Sequence, residues 1–366
     1  MKIQRIETFT ARHVGFVRVT AEGGQQGWGQ VSTYHSDISA AVLHRQVAPY
    51  ALGHDIDDLA TLVALIPERE HKFPGSYLPI AIGGLDTAVF DLLAKREDKS
   101  VCEYLGGIRR PMRIYGSSMR RDITPKDEAE RLKRLPGEYG FDAFKIRVGR
   151  EYGHDEDQWP GRSETVIETV RTSLGDDVTI LADANSCFTP KRAIEIGRIL
   201  EDNGYSHFEE PCPYWELECT KEVRDTLEID ISRGEQDCNL VTWRRIGRMA
   251  VVDIKQPEIC YPGGITCTLR VADIAKQHDL ACTPHSANHS LVTLFTLHLM
   301  AAIESAGPYV EFTIEAPDYY PWEPNLFRPT LVPVDGKVTI PDAPGWGVEI
   351  NQSWLECADV TVSALD

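Results

Sequence analysis

The sequence predicts an α/β protein in which a parallel (β/α) barrel follows a smaller α+β domain. Two observations carry this reading. From about residue 112 short apolar segments recur, each followed by a helical stretch, and strands that alternate with helices form parallel sheets. Nearly every such segment also ends in a polar, usually ionisable, residue. In a parallel barrel the carboxyl ends of all strands meet on one face, so those residues converge.

Ahead of the barrel, residues 2–10 and 14–21 alternate as two strands joined by a few residues. Gly23-Gly24 and Gly27-Trp28-Gly29 read as glycine-rich turns. Helical spacing then takes over in 38–52 and 79–98, where Ile82, Leu85, Ala88, Val89 and Leu92 trace one face. The eight barrel strands are expected in MRIYGSSM (112–119), AFKIRVG (143–149), TILADAN (179–185), HFEEP (207–211), DISRGE (230–235), VDIKQPE (252–258), LACTPHS (280–286) and YVEFTI (309–314). Even spacing suggests that the sheet closes. The stretch 315–366, rich in Pro and turns, is expected to fold back onto the first domain. The domains predicted are 1–111, 112–320 and 321–366.

Composition narrows the class. A chain of 366 residues with 42% hydrophobic and 26% charged residues is that of an ordinary globular enzyme. No apolar run is read as long enough to cross a bilayer, and the alternating start lacks the apolar core of a signal peptide. Nine scattered cysteines without a CxxC pair read as reduced thiols of a cytoplasmic protein. A formal charge of −18 argues against nucleic acid and anionic membranes as partners. An anionic substrate would need local cations.

The chemistry resides at the strand ends. Asp183, Glu209 and Glu235 close the third, fourth and fifth strands. Unpaired, three such carboxylates would repel and raise one another's pKa. A hard divalent cation resolves this, and Mg²⁺ suits a few carboxylates with positions left open for substrate oxygens. Any one of them alone would more often pair with Arg or Lys or cap a helix. Lys145 ends the second strand and His285 the seventh, on opposite sides of this row, as candidates for moving a proton next to a carboxylate. The cation and Arg147 are expected to depress the Lys145 pKa. Glu258, on the strand beside His285, is placed to hold one ring nitrogen and fix the tautomer.

These segments resemble the mandelate racemase and muconate lactonizing enzyme family of the enolase superfamily, over essentially the whole length. The matching motifs are LADAN with Asp183, EEP with Glu209, GE with Glu235, GGI at 263–265 and the late IPDAPGWGVEI. The resemblance implies a TIM-like (β/α)7β barrel with an N-terminal capping domain, Mg²⁺ on those three carboxylates, and homo-oligomers. Where the muconate-lactonizing branch has a sixth-strand Lys, this chain has Glu258, and Lys255 faces the other way. A carboxylate there with His285 next door resembles the mandelate racemase branch, with Glu in place of Asp. The Lys-x-Lys of that branch is altered to Lys145-Ile146-Arg147. A guanidinium is a poor base and a good carboxylate clamp, so either Lys145 or His285 is the base.

Weaker signals complete the set. Asn185 faces the same way as Asp183 and could bond a substrate hydroxyl. Glu311 matches a family glutamate that contacts the substrate carboxylate, or pairs with Lys145. Tyr34 and His35 sit where the family's capping loop begins and are candidates for touching the substrate, His35 as a binding residue. A lid could be completed by 66–80 or by another subunit, and the long polar insertion 150–163 reads as a lid or an interface. The run His285-Ser286-Ala287-Asn288-His289 resembles the seventh-strand motif of glucarate dehydratases, and Arg147, Asn185, His285 and, four residues on, His289 are expected as polar groups of the pocket. The activity implied is loss of water from a sugar acid, with racemisation of a 2-hydroxy acid as the alternative and a catalytically silent binding subunit as the rival class.

Overall fold

The computed structural model describes residues 1–11, 13–31, 33–72, 75–315 and 325–365. Its first unit is an antiparallel sheet of β1 (Ile3–Ala11), β2 (Val14–Ala21) and β3 (Gln26–Gln30), extended beyond β1 by the late strand Asp359–Ala364. The chain's last strand thus lies on its first, as in the pair Thr8↔Thr361.

The strand β3 overturns the turn reading of Gly27-Trp28-Gly29. Glycine there serves close approach. A β-carbon on Gly27 would lie 2.1 Å from the Ala88 carbonyl oxygen, and one on Gly29 2.4 Å from the Ala88 nitrogen. Both contacts belong to the helix Tyr77–Arg96, which lies against this sheet. That helix is long and apolar enough to cross a membrane, contrary to the reading of the bare sequence. However, 89% of its most apolar window is buried inside the fold, as expected of a core helix. The helical region before it runs Ser36–Val42, a π-wound Leu43–Val47 and Ala48–Ala51.

The second unit holds eight parallel strands: β4 (Pro111–Ser117), β5 (Ala143–Arg147), β6 (Thr179–Asp183), β7 (His207–Glu209), β8 (Asp230–Arg233), β9 (Ile254–Lys255), β10 (Ala281–Cys282) and β11 (Val310–Thr313). Neighbours pair in the order β10-β9-β8-β7-β6-β5-β4-β11. Among the described residues, a single bridge, Cys282↔Ala306, links β10 to the segment leading into β11. The fold is the mixed α/β architecture expected, a curled parallel sheet with a separate N-terminal unit. The boundary read near 320 lies outside the described residues. Part of the late region joins the barrel instead of the first unit, since Lys337–Thr339 pairs antiparallel with β4.

Three parts of the chain meet at one buried carboxylate. Asp91, on the long helix, accepts hydrogen bonds from Trp28 N (2.7 Å), Trp346 N (2.9 Å) and Lys95 Nζ (2.6 Å). The Trp346 indole donates in turn to the Trp28 carbonyl at 2.9 Å. Gly345 has a left-handed φ of 73°, and a β-carbon there would sit 2.0 Å from Asp91 Oδ1. This accounts physically for Gly345 and Trp346 of the late Gly-Trp-Gly. A second clasp joins the units where Asp86 Oδ1 accepts from Thr266 N at 3.2 Å, at the start of the helix Ile265–Gln277. Replacing Asp91 by Ala strands the buried N–H of Trp346 and the part-buried N–H of Trp28, and an unmet buried donor costs about 1–3 kcal/mol. Thermal unfolding of Asp91→Ala should therefore begin several degrees lower than wild type; an unchanged midpoint would show that the clasp contributes nothing.

Candidate active site

Strand register assembles the site. Arg147, Asp183 and Glu209 are Cα partners in one row across β5, β6 and β7. Neighbouring strands lie about 4.8 Å apart, so the side chains of this row share one small volume. Glu235 stands off the row, two residues beyond the end of β8, where the row itself continues into Ser232. Lys145 lies two residues before Arg147, and alternation points it to the same interior.

Each expected carboxylate meets a cation of the chain. Asp183 pairs with Arg147. Glu209 Oε2 lies 2.7 Å from Lys145 Nζ, and Glu235 Oε2 3.0 Å from His285 Nε2. Lys145 is completely buried and also reaches Glu311 at 2.8 Å and Asp183 at 3.6 Å. Burial works against its charge, but Glu209 and Glu311 outweigh it and hold the pKa above the ordinary value. In the protein alone this reverses the expected depression, because the carboxylates around Lys145 outnumber its one cationic neighbour, Arg147.

His285 is fixed from both sides. Its Nδ1 donates to Glu258 Oε2 at 3.1 Å, and a parallel bridge joins the two backbones. Burial disfavours its charge, whereas Glu235 and Glu311 favour it more strongly, so its pKa is raised well above normal.

The ion pairs form one network. Lys145, Arg147 and His285 face Asp183, Glu209, Glu235, Glu258 and Glu311. Five carboxylates against three cations leave two negative charges in a buried place, where uncompensated charge is costly. Glu209 Oε1 and Glu210 Oε1 are buried without hydrogen-bond partners. Charge and donor chemistry therefore fit one hard divalent cation. Among the described residues, no three such side chains yet close on a common point. Asp183 and Glu209 are turned towards their cations, and holding an ion requires them to turn back in part.

A cavity of about 560 Å³ opens above this network. Arg147, Asn185, Glu235, Glu258 and His285 line it, while Lys145, Asp183, Glu209 and Glu311 are buried and do not. Arg147 donates to Asn185 Oδ1 (3.0 Å) and the Ser118 carbonyl (3.0 Å). Glu311 accepts from Ser117 Oγ at 2.7 Å and Ser286 N at 2.9 Å, so it meets Lys145 and not the cavity. From the first unit, Thr33 and Tyr34 reach the lining. His35 does not: it is exposed, with a left-handed φ of 49° at the start of Ser36–Val42. His289 is also outside, packed against Phe312 at 5.2 Å, and Asn288 takes the place beside the cavity. The expected lid 66–80 falls partly on 73–74, outside the described residues, and its described part does not line the cavity.

Several contributors escaped the sequence reading. Arg121 lies on the loop after β4 and lines the cavity. Gln256 donates to Glu209 Oε2 at 3.0 Å from within the QPE segment. Glu210 is buried, and burial together with Glu235 and Glu209 raises its pKa strongly; its adjacency to Glu209 in EEP was the available signal. The insertion after β5 is a built wall. Arg150, Glu151, Tyr152 and Gln158 line the cavity, and Asp155 binds Thr189 N at 2.6 Å.

Comparison with known proteins identifies the family. Residues 3–106 match the mandelate racemase / muconate lactonizing enzyme N-terminal domain, and residues 127–354 match the enolase C-terminal domain-like family. A solved structure from Roseobacter denitrificans, described as a candidate racemase, is 59% identical, covers 100% of both chains and superposes with TM-score 0.98. A mandelate racemase/muconate lactonizing protein from Paracoccus denitrificans, complexed with magnesium, is 28% identical over 99% of this chain and 98% of that one, with TM-score 0.90. Among curated relatives, the D-galactarolactone cycloisomerase of Agrobacterium fabrum is 29% identical over 95% of this chain and 91% of its own. The arabinonate dehydratase of Saccharolobus solfataricus is 26% identical over 92% and 88%. With both domains matched and the barrel strands ending as described, the chain belongs to the mandelate racemase / muconate lactonizing enzyme family of the enolase superfamily.

Proposed function

We propose that the protein is a Mg²⁺-dependent dehydratase of a sugar acid, an aldonate or an aldarate, giving a 2-keto-3-deoxy acid. The observation that carries this is the setting of His285: Nδ1 is held by Glu258, and Nε2 faces Glu235 at the floor of a polar cavity. Curated relatives named dehydratases of arabinonate, D-gluconate and D-galactonate support the reaction class.

Asp183, Glu209 and Glu235 would hold the metal, which when bound supplies positive charge to stabilise an enediolate developing on the substrate carboxylate. With Glu235 committed to the metal, His285 would lose a carboxylate that favours its charge, and its unprotonated Nε2 takes the proton from carbon 2. Glu258 keeps Nδ1 protonated and stabilises the imidazolium that results. The same imidazolium returns its proton to the 3-hydroxyl, which leaves as water, and the enol becomes the 2-keto acid. One histidine thus serves as base and acid. Lys145 stays protonated among Glu209, Glu311 and Asp183 and acts by charge. Arg147 and Asn185 orient the substrate from the cavity wall. The second reading is racemisation or epimerisation, favoured by the description of the Roseobacter relative. It requires Lys145 to become a second base opposite His285.

Asp183→Asn, Glu209→Gln and Glu235→Gln should each lower kcat by at least about 10²–10³-fold and weaken Mg²⁺ binding in calorimetry. Circular dichroism should show the fold retained. A variant with full activity and unchanged Mg²⁺ affinity would remove its residue from the ligand set.

Glu258→Gln should lower kcat about 10–100-fold, the usual cost of losing a partner that orients a catalytic group. His285→Asn should lose more. Wild-type rates from Glu258→Gln across pH would make that carboxylate structural.

Exchange of the substrate α-proton in D₂O separates the two readings. The dehydratase reading expects no exchange from His285→Asn and substantial turnover from Lys145→Arg. Exchange by His285→Asn that disappears in the Lys145→Met double variant would instead make Lys145 a base, as a racemase needs.

A further inference from the structure

The cations that line the cavity are paired, with one exception among the described residues. Arg147 is taken by Asp183, Arg150 by Glu156 at 2.7 Å, and His285 by Glu235 and Glu258. The lining carboxylate of Asp122 is occupied by Arg120 at 2.9 Å. Arg121 makes only neutral contacts: Nε donates to the Gly149 carbonyl at 3.1 Å, and a terminal nitrogen to Asn185 Oδ1 at 2.8 Å. Glu151, exposed on the facing loop, lies beyond ion-pair distance. Burial and the nearby Arg147 push the Arg121 pKa down to about 9. Glu151 works the other way, but among the described residues the charge has no ion-pair partner.

The placement is built. Arg162, fully buried, donates to the carbonyls of Arg147 (2.9 Å) and Arg120 (3.2 Å), so one side chain fixes the backbone at both arginines. The single oxygen of Asn185 accepts from Arg121 and from Arg147, at 2.8 and 3.0 Å. A guanidinium carries five N–H donors in a planar fork, and two of these are used on Arg121. The remaining donors match a carboxylate bidentately. Charge balance points the same way. The buried network has two surplus negative charges, enough for a divalent cation, and leaves no cation over for a second carboxylate on the substrate. Arg121 is that cation, one asparagine away from the row of Arg147 and Asp183.

We propose that Arg121 forms a second carboxylate subsite, so that the substrate is a dicarboxylate, an aldarate, and not an aldonate. This rests on the dehydratase reading of the same cavity and narrows it.

The test uses the full chain with Mg²⁺ and a panel of five- and six-carbon aldarates with their matching aldonates, galactarate with galactonate and glucarate with gluconate among them. Binding is read by calorimetry and 2-keto acid formation by kcat/KM. Wild type should prefer the diacid of at least one pair, and Arg121→Met should cut the diacid-to-monoacid ratio at least ~10-fold. Arg121→Lys, which keeps the charge and loses the fork, should fall between them and guards against misfolding of the first variant. Preference for aldonates, an unchanged ratio in both variants, or no binding of any aldarate would overturn the subsite. Diacid binding that depends on Arg121 without any 2-keto acid formed would retain the subsite and refute the dehydratase reading.

Discussion

The structure turns on the neutralisation of carboxylates gathered inside a barrel. Convergence of strand ends places Asp183 and Glu209 side by side and brings Glu235 and Glu311 within reach of the same cations. None of these could stay ionised in isolation, since the penalty for an unpaired buried charge exceeds what packing could offset. Lys145, Arg147 and His285 are the response, each contributed by a strand that borders the acidic ones. The chain's overall charge of −18 makes this local balance more pressing. Two of these cations, Arg147 and His285, also line the cavity, so the balance of buried charge and the lining of the cavity draw in part on the same side chains.

What was legible in the sequence follows from which effects are local. The barrel strands and their terminal acids could be read because alternation and strand–helix rhythm are short-range signals. The pairing of His285 with Glu258 could be read because neighbouring strands in a regular barrel put their ends together. The Lys145 pKa could not, since its sign depends on Glu209 and Glu311, 64 and 166 residues away in sequence. Gly27 and Gly29 misled for a different reason. Glycine signals a turn when its freedom of φ is wanted, but here it serves to bring a strand against a helix. His289 misled because a spacing of four residues means a shared face only in a helix. The segment from His285 to Ser290 is not helical; the helix begins at Leu291.

The division of labour between strands and loops has a physical basis. Lys145 and Arg147 sit on β5, and Glu258 and His285 lie just beyond β9 and β10 where a backbone bridge joins them. The residues that differ in kind, Arg121, Glu151, Tyr152 and Gln158, sit on connections that backbone pairing does not constrain. Such loops ordinarily move. In this chain Arg162, Asp155 and Ser163 tie the loops down: Gly149 N donates to Ser163 Oγ at 2.7 Å, and Asp155 bonds Thr189. The insertion after β5 is thus less a free lid than a wall pinned to the next loop.

Pinning of this kind matters most for a cation without a partner. A free arginine on a mobile loop would swing to solvent and regain its hydration, and it would recognise nothing. Arg121 cannot do so cheaply, because its neighbours Arg120 and Ile123 are held through their carbonyls by Arg162, at 3.2 and 3.4 Å. The guanidinium is therefore presented in advance, and the ordering entropy that a flexible side chain would lose on binding is already spent in folding. A site arranged in this way discriminates by what it leaves unsatisfied. A monoacid would seal Arg121 in the cavity unpaired, whereas a diacid would complete it, and that difference is the kind of contrast from which large selectivity arises.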